Sequence, residues 1–418
     1  MEQVIFTIIL TATLAGILWS FKRIKINFSR TKSTAFDGRI KDRLMVTARV
    51  AFGQTKILRK PVVGWLHALV FWGFLVITIG SFEMVIDGLT GLHRSLGFLG
   101  FFYTIISASG DVFAYVVLLG VVVFIARRLL LPIQRFRGIE LKKENKIDAN
   151  IALAFIFLLM VSLIGLNSYD LILNGSSLPG RYPLSALLTV ALPLGNSYAY
   201  YEFFWWLHLL LIFAFANYLP YSKHFHVFMS LPNVFFSNLQ PLTFLPAMPE
   251  VSKEVRLMLS GESYAEPSEI SPSRFGVKDV TDVTWKNYLD ALTCTQCGRC
   301  TEVCPANITG KKLSPRKIFV DLRQRMNDIN KAKDQVEKTL VGDYISTEEL
   351  WACTTCNACA QECPLNISHP NLIMDMRRFL VLEEGHVPEE LNTMFANIEN
   401  NGAPWKYSPE DRLRWTEG

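Results

Sequence analysis

The sequence is poor in charged residues and carries no motif for nucleotide or hydrolytic chemistry. Charged residues make up 19% of its 418 positions, against roughly 25% in ordinary soluble domains. It has no Gly-x-Gly-x-x-Gly, no P-loop and no recognisable Ser/His/Asp pattern, which argues against the common nucleotide-binding and hydrolase classes. It also lacks Cys-x-x-Cys-His, so covalent c-type haem is excluded. Cysteine is absent outside one C-terminal stretch.

All eight cysteines fall into two copies of one pattern. The runs are Cys294-x2-Cys297-x2-Cys300-x3-Cys304-Pro305 and Cys353-x2-Cys356-x2-Cys359-x3-Cys363-Pro364. This is the iron–sulfur spacing of bacterial ferredoxins, in which the fourth cysteine of each run ligates the other cluster. The pattern therefore predicts two 4Fe-4S clusters. Their ligands would be Cys294, Cys297, Cys300 and Cys363 for one cluster, and Cys353, Cys356, Cys359 and Cys304 for the other.

Two simpler interpretations of the cysteines fit the pattern less well. Structural zinc sites use pairs of cysteines rather than a tight run of four that is repeated with a proline after each copy. Disulfides need an oxidising compartment, and the topology inferred below places the cysteines in the cytoplasm. Iron–sulfur clusters remain the favoured interpretation, and they indicate a protein that moves electrons.

The first half of the chain is a series of long apolar runs. Five are long enough for a transmembrane helix, which needs roughly 17–25 apolar residues. They cover residues 4–21, 62–86, 111–131, 150–173 and about 201–219. The first has no basic leader and no small-residue cleavage site, so it is expected to be an anchor rather than a signal peptide.

The charges of the loops predict the orientation of these spans. Residues 22–60 carry twelve basic residues, and residues 127–146 carry seven. The opposite loops, 87–110 and 174–200, carry only Arg94 and Arg181. Because basic loops stay in the cytoplasm, the N-terminus is expected outside a bacterial inner membrane and residues 220–418 inside. The net charge of +5 therefore gives no indication of nucleic-acid binding.

Histidines in the membrane half are candidate haem ligands, because polar side chains at membrane depth are costly. His208 and His226 are 18 residues apart, which places them on one face of a continuous helix. His67 matches the depth of His226, and this pair is expected to ligate a b-type haem. His224 is expected to be a neighbour, unless Pro220 shifts the helical phase and exchanges it with His226.

A second haem has a less obvious ligand pair. His208 lies near the outer end of the fifth span, and the second span has no histidine at that depth. His93, in the outer loop, is the nearest candidate partner for a distal haem. The alternatives are a single haem, with His93 an exposed loop residue and His208 in an interhelical hydrogen bond.

The five spans, with His67 in the second and His208 and His226 in the fifth, resemble the gamma subunit of respiratory nitrate reductase. The related membrane subunit of heterodisulfide reductase is similar. The resemblance covers about residues 1–230 and implies a dihaem cytochrome b that reacts with quinone. In that family the second span supplies two histidines, whereas this sequence has one, with Ile77 near the other position. Polar Lys223 and Asn217 are the candidates for the quinone pocket.

The second half contains an internal duplication. Residues 292–300 repeat as 351–359, and each half continues through Cys-Pro into Asn-Ile. The 48 residues that separate Cys304 from Cys353 are too many for a compact ferredoxin. The segment resembles the α-helical ferredoxin module of succinate dehydrogenase-type and heterodisulfide reductase subunits. His369 and His386 are expected at its surface.

Together these features predict an all-α protein. It has a five-helix transmembrane bundle over residues 1–230, a linker over 231–283, and a cytoplasmic dicluster domain over 284–418. Its expected function is that of an electron-transfer subunit of a quinone-linked oxidoreductase in a respiratory chain. Electrons from a cytoplasmic donor would pass through two clusters and haem b to menaquinone. The reverse direction, as in heterodisulfide reductase, and a redox-sensing or scaffold protein are the alternatives.

The tail from residue 402 onward resembles the segment that precedes the cysteine-rich CCG domains of heterodisulfide reductase-like subunits. No CCG domain follows it in this sequence. The resemblance therefore implies a separate CCG-domain or flavoprotein subunit on the cytoplasmic side. An electron-transfer flavoprotein, or a 2-hydroxy-acid or glycerol-3-phosphate dehydrogenase linked through the CCG-domain subunit, would be the donor.

Deletion of residues 402–418 should release such a subunit, because the tail is rich in aromatic residues and would form part of the docking surface. Co-purification from detergent-solubilised membranes, with and without the tail, measures the loss. An intact complex after the deletion would contradict this expectation.

Overall fold

The computed structural model describes residues 2–136, 138, 143–260, 274–331 and 337–417. Within them, the chain is helical and forms no strand beyond two isolated bridges. Five helices are long and apolar enough to cross a membrane, and a helical domain that carries the cysteines follows them. The predicted fold class is confirmed.

The membrane half contains five long helices and three short ones. They are α1 Glu2–Ser29, α2 Ile40–Val46, α3 Pro61–Thr90, α4 Phe101–Leu130, α5 Lys143–Asn174, α6 Pro183–Leu188, α7 Ser197–Tyr218 and α8 His226–Phe235. The long helices extend past the apolar runs. Helix α4 begins at Phe101, well before the predicted residue 111, and Tyr103 and Ser107 of its first turns are buried.

Consecutive long helices are neighbours in the bundle. Helix α3 packs on α4, α4 on α5, and α5 on α7, while α1 lies against α3 and α7. A Cβ at Gly73 would lie 2.7 Å from a methyl of Val117, and one at Gly120 would lie 2.9 Å from a methyl of Val70. Small residues at these points allow the backbones of α3 and α4 to approach closely, as is usual in membrane bundles.

The predicted continuous helix through His208 and His226 is wrong. Helix α7 ends at Tyr218, two short 3-10 turns occupy residues 219–225, and α8 begins at His226. Pro220 lies in the first of these turns. A proline lacks the backbone N–H and its ring clashes with the preceding turn, so it ends the helix there. The tertiary structure, rather than helical phase, therefore sets the relative position of these two histidines.

The remaining helices build the cysteine domain and its flanks. They are α9 Pro249–Ser260, α10 Trp285–Thr293, α11 Arg299–Glu302, α12 Pro305–Ile308, α13 Pro315–Lys331, α14 Thr347–Trp351, α15 Ala358–Glu362, α16 His369–Leu382 and α17 Glu389–Asn401. The core of the domain contains Ile318, Phe319, Leu322 and Met326 of α13, all fully buried. Their spacing along the sequence places all four on one face of the helix.

The core of the domain also takes in the end of the predicted linker. Val277, Val280 and Val283 are buried in it, and the backbone N–H of Val277 donates to Asp375 O at 3.0 Å. Helix α8 crosses the predicted boundary at residue 230. Residues 261–273 of the linker lie outside the described residues.

Helix α1 extends out of the bundle and contacts the cysteine domain directly. The side-chain amide of Asn27 donates to the hydroxyl of Tyr288 at 2.7 Å and accepts from Asn330 at 2.7 Å. Phe28 packs edge-on against Tyr288, with ring centres 4.9 Å apart. Just beyond the helix, the backbone N–H of Lys32 donates to Val283 O at 2.8 Å. The first transmembrane helix thus holds the last domain of the chain.

Asn27→Ala should weaken this contact by about 1–3 kcal/mol, because two buried polar groups would lose their partner. The midpoint of thermal loss of cluster absorbance should fall relative to the wild type. Asn392→Ala, at an exposed position of α17, is the matched control. Equal midpoints for the two variants would show that Asn27 does not help to hold the cysteine domain.

Candidate functional site

The two cysteine runs fold into the same loop twice. Gln296 and Gly298 in the first run have φ values of 58° and 77°, and Thr355 and Asn357 in the second have 55° and 61°. Residues in this left-handed conformation turn successive backbone N–H groups inward, which is typical of iron–sulfur and anion sites. The duplication in the sequence is therefore also a duplication of backbone geometry.

The fourth cysteine of each run lies with the other run. Burial and the nearby thiols of Cys297 and Cys294 raise the pKa of Cys363 to about 12. Burial also raises the pKa of Cys304, and the thiols of Cys353 and Cys356 are the ones near it. The structure thus brings the eight thiols together in the two predicted groups, in which the fourth cysteine of each run joins the first three of the other run. Their assignment as cluster ligands stays a prediction.

Each group has the chemistry that an iron–sulfur cluster requires. Burial raises the pKa of Cys359 to about 12, with Cys353 and Cys304 next to it. Such thiols become thiolates only when a metal supplies the compensating charge.

The two groups of thiols face different surroundings. Cys356 in the second group is exposed. In the first group, Cys294, Cys300 and Cys363 are buried, and Cys297 lines a cavity that opens toward the bundle. The second group is therefore the one that a protein in solution can approach, and the first is the one that borders the membrane half.

This cavity has a volume of about 1250 Å³ and runs from the bundle interior to the cysteine domain. It exceeds the roughly 300–1,000 Å³ of ordinary ligand pockets. Four of the histidines named from the sequence line it, together with residues of both cysteine runs. The residues concerned are His67, His208, His224, His226, Gln296, Cys297 and Pro364.

Two of these histidines have one ring nitrogen engaged with the backbone. Nδ1 of His226 lies 3.0 Å from Lys223 O, and Nδ1 of His208 lies 3.0 Å from Leu159 O and 2.8 Å from the hydroxyl of Ser162. A ring N–H that donates to a carbonyl fixes the tautomer and leaves Nε2 as the metal ligand, which is common for metal-bound histidine. Burial lowers the pKa of His226, so its imidazole is neutral, as ligation requires.

His67 lies near His226, although the two are far apart in the sequence. Its Nδ1 is buried and has no hydrogen-bond partner within the part of the chain that the structure describes. Buried polar atoms are nearly always paired, so this atom indicates a missing partner in the cavity. His67 and His226 are therefore the residues that would hold a haem in this cavity. His224 is adjacent, with its ring 5.5 Å from that of His226.

His93 is not brought to His208. It does not line the cavity, and its Nε2 lies 3.1 Å from Oδ1 of Asp170. Arg94 pairs with the same carboxylate at 2.8 Å. Asp170 is fully buried, and a buried carboxylate has to be paired, so it holds His93 at the far end of the bundle. The structure gives no support to the His93–His208 pair.

Of the two polar residues considered for the quinone pocket, Lys223 lies at the cavity and Asn217 does not. Lys223 lines the cavity and donates to Gln296 Oε1 at 3.2 Å and to Asn145 O. Burial lowers its pKa to about 8. Asn217 does not line the cavity, and its amide donates to Phe213 O at 3.1 Å within its own helix.

Sequence reasoning missed two buried residues of the second half. His369, expected at the surface, is 1% exposed and packs edge-on against Phe319, because it starts α16 where that helix enters the core. Arg299 lines the cavity and is 6% exposed. The duplication could have pointed to Arg299, because the equivalent position of the second run is an alanine, Ala358. His386 is exposed as expected.

Comparison with known proteins supports the iron–sulfur assignment. The 4Fe-4S dicluster domain family matches residues 293–367. The chain is 29% identical over 91% of its length to a probable iron-sulfur-binding oxidoreductase, FadF, of Bacillus subtilis, and covers 56% of that protein. It is 27% identical over its whole length to the EtfAB:quinone oxidoreductase of Syntrophomonas wolfei, of which it covers 60%.

A third relative matches a shorter part of the chain. It is one of the subunits of the ferredoxin/F(420)H(2)-dependent CoB-CoM heterodisulfide reductase of Methanosarcina acetivorans. The two sequences are 37% identical over 24% of the chain and 53% of that subunit. The chain thus spans little more than half the length of these relatives. No solved structure matches it. The relatives are iron–sulfur oxidoreductases and their subunits, and this supports electron transfer as the role of the chain.

Gly298→Ala should abolish the first cluster. A Cβ here would lie 2.6 Å from Nη1 of Arg316 and 2.9 Å from Arg135 O, in a residue whose φ is +77°. Iron content should fall by about half, from roughly eight per chain. Gly310→Ala is the matched control, since its φ is +84° and no atom lies within 4 Å of the new Cβ. Equal iron content in the two variants would contradict the loop geometry.

Proposed function

We propose that the chain is the membrane electron-transfer subunit of a quinone oxidoreductase complex. Electrons from a cytoplasmic donor would pass through two 4Fe-4S clusters and haem b to menaquinone. The observation that carries this proposal is the continuous cavity, which is lined at once by His67, His226 and the cluster cysteine Cys297. The name of the EtfAB:quinone oxidoreductase relative supports a quinone as the acceptor.

The order of the clusters follows from their exposure. The group that contains exposed Cys356 would accept electrons from the donor, and the buried group that contains Cys297 would pass them toward the haem. In this proposal each cluster is held by the first three cysteines of one run and the fourth cysteine of the other. The domain would lie in the cytoplasm of a bacterium, with the N-terminus of α1 outside the inner membrane.

His67 and His226 would hold the haem, which supplies a one-electron carrier between clusters and quinone. The role of the protein is to keep the two imidazoles neutral and to fix the tautomer of His226 through Lys223 O. His224 is the alternative to His226. His208 lines the same cavity and is the remaining ligand for a second haem, without His93 as its partner. This cytochrome b-like bundle would be analogous to the gamma subunit of nitrate reductase.

The donor would be an electron-transfer flavoprotein, reached directly or through a CCG-domain subunit. The name of the EtfAB:quinone oxidoreductase relative supports the flavoprotein. A second candidate function reverses the flow, from quinol to a cytoplasmic disulfide. The similarity of about a quarter of the chain to a heterodisulfide reductase subunit favours it. The relative potentials of clusters and haem decide between them, and contacts around the cofactors set those potentials.

Optical spectroscopy with cofactor analysis tests the proposal. Dithionite-reduced minus oxidised spectra of the detergent-purified protein should show b-type haem, together with about eight cluster irons per chain. Reoxidation of the reduced haem by a menaquinone analogue should be rapid. Protein that holds clusters but no haem would overturn the proposal and favour a sensor or scaffold.

His67→Ala and His226→Ala should each abolish the spectrum of the haem that they share, because a b-type haem without one axial imidazole loses its low-spin signature and its attachment. The cluster signals should remain. His386→Ala, at an exposed position outside the cavity, should leave both sets of signals unchanged. A normal haem spectrum in His226→Ala would transfer its role to His224.

A further inference from the structure

The charged residues that line the cavity among the described residues are all of one sign. Its bundle end is lined by apolar side chains around His208, whereas its end at the cysteine domain is basic. Among the described residues, six that line it are lysine or arginine, and none is aspartate or glutamate. The basic residues are Arg127, Arg128, Arg135, Lys146, Lys223 and Arg299. Such a site fits a ligand with a large apolar body and an anionic end.

Arg299 is the most buried of these cations. It is 6% exposed, and its Nη1 donates to Lys56 O at 3.0 Å. This is the one hydrogen bond of its side chain within the described residues, and no carboxylate there forms an ion pair with it. Burial of an arginine is costly unless it is paired. An anion inside the cavity would supply the missing partner.

Arg299 also stands between the two proposed cofactors. It belongs to the first cysteine loop, between Cys297 and Cys300, and it lies near His67 on the other side. Arg135 lies beside it in the cavity lining, with a buried Nε that has no partner among the described residues. Nη1 of Arg135 donates to Glu302 at 3.3 Å, so this side chain is only partly compensated.

We propose that Arg299 binds a propionate of the haem held by His67 and His226. This inference rests on the proposed function and adds to it a direct contact between the haem and a cluster loop. The carboxylate end of the haem would lie at the cysteine domain, and its apolar ring in the bundle. The guanidinium would neutralise the propionate, and it would stabilise the reduced haem, which carries one more negative charge than the oxidised form.

A phospholipid headgroup is another anion with an apolar body. The haem is favoured because Arg299 is almost entirely buried and lies next to a proposed axial ligand of the haem. A lipid would reach the cavity from the exposed flank of the bundle, where Arg128 is already engaged with Asn150 Oδ1 at 2.7 Å.

The internal duplication provides the variant for the test. Ala358 occupies the position of Arg299 in the second loop, which has the same backbone geometry. Arg299→Ala therefore gives the first loop a residue that this loop shape accommodates, so both clusters should still assemble. Arg59→Ala is the matched control. It removes the same charge from an exposed residue that donates to Gln361 O at 3.3 Å and does not line the cavity.

Redox titration of the haem absorbance measures the effect in full-length protein, with haem, iron and bound phospholipid quantified. At the wild-type midpoint, Arg299→Ala should lower the ratio of reduced to oxidised haem about tenfold, a downward shift of about 59 mV for one electron. Arg299→Lys should shift less, and Arg59→Ala should match the wild type. The iron content should be the same in all four proteins.

Three results would overturn the inference. Equal haem potentials in Arg299→Ala and Arg59→Ala would remove the contact with the propionate. Loss of iron in Arg299→Ala with an unchanged haem would make Arg299 a structural residue of the cluster loop. Loss of bound phospholipid with an unchanged haem would assign the anion to a lipid. A wild-type protein without haem would instead overturn the proposed function, and this inference with it.

Discussion

The contact between the end of the helix bundle and the cysteine domain is the interaction on which the rest of the structure depends. Two parts of the membrane half hold the domain. Asn27 of α1 is buried between Tyr288 and Asn330, and Asn233 of α8 donates to Leu365 O at 2.9 Å, just after the second cysteine run. Without these contacts, Cys297 and Arg299 would not border a cavity that also holds His67.

The electrostatics of the chain differ at the two ends of the bundle. At the far end, buried carboxylates are compensated within the protein, as Asp170 is by Arg94 and His93. At the end near the cysteine domain, the charged residues that line the cavity are all cationic in the described part of the chain. The most buried of them, Arg299, has no acidic partner there. A charge that the protein itself leaves uncompensated is a reason to expect a ligand there.

Several features could be predicted because they depend on local pattern alone. The apolar runs predict five spans by length, and the buried face of α13 follows from its helical spacing. The grouping of the thiols follows from chemistry that is shared by every loop of this spacing. Other features could not, because they depend on long-range partners. The neighbour of His93 is Asp170, 77 residues away, and His369 is buried by Phe319 of another helix.

The sequence by itself determined the helical class, the number of spans, the duplicated cysteine loops and the histidines worth considering, since composition and spacing carry that information. Only the tertiary structure decided which histidines share a cavity. Because Pro220 ends α7, helical periodicity cannot predict where His226 lies. Its position depends instead on how α8 packs against α10 and the domain. The charge of the cavity was also decided there, because its basic residues come from five separate segments of the chain, and Arg299 joins the others only when the domain docks on the bundle.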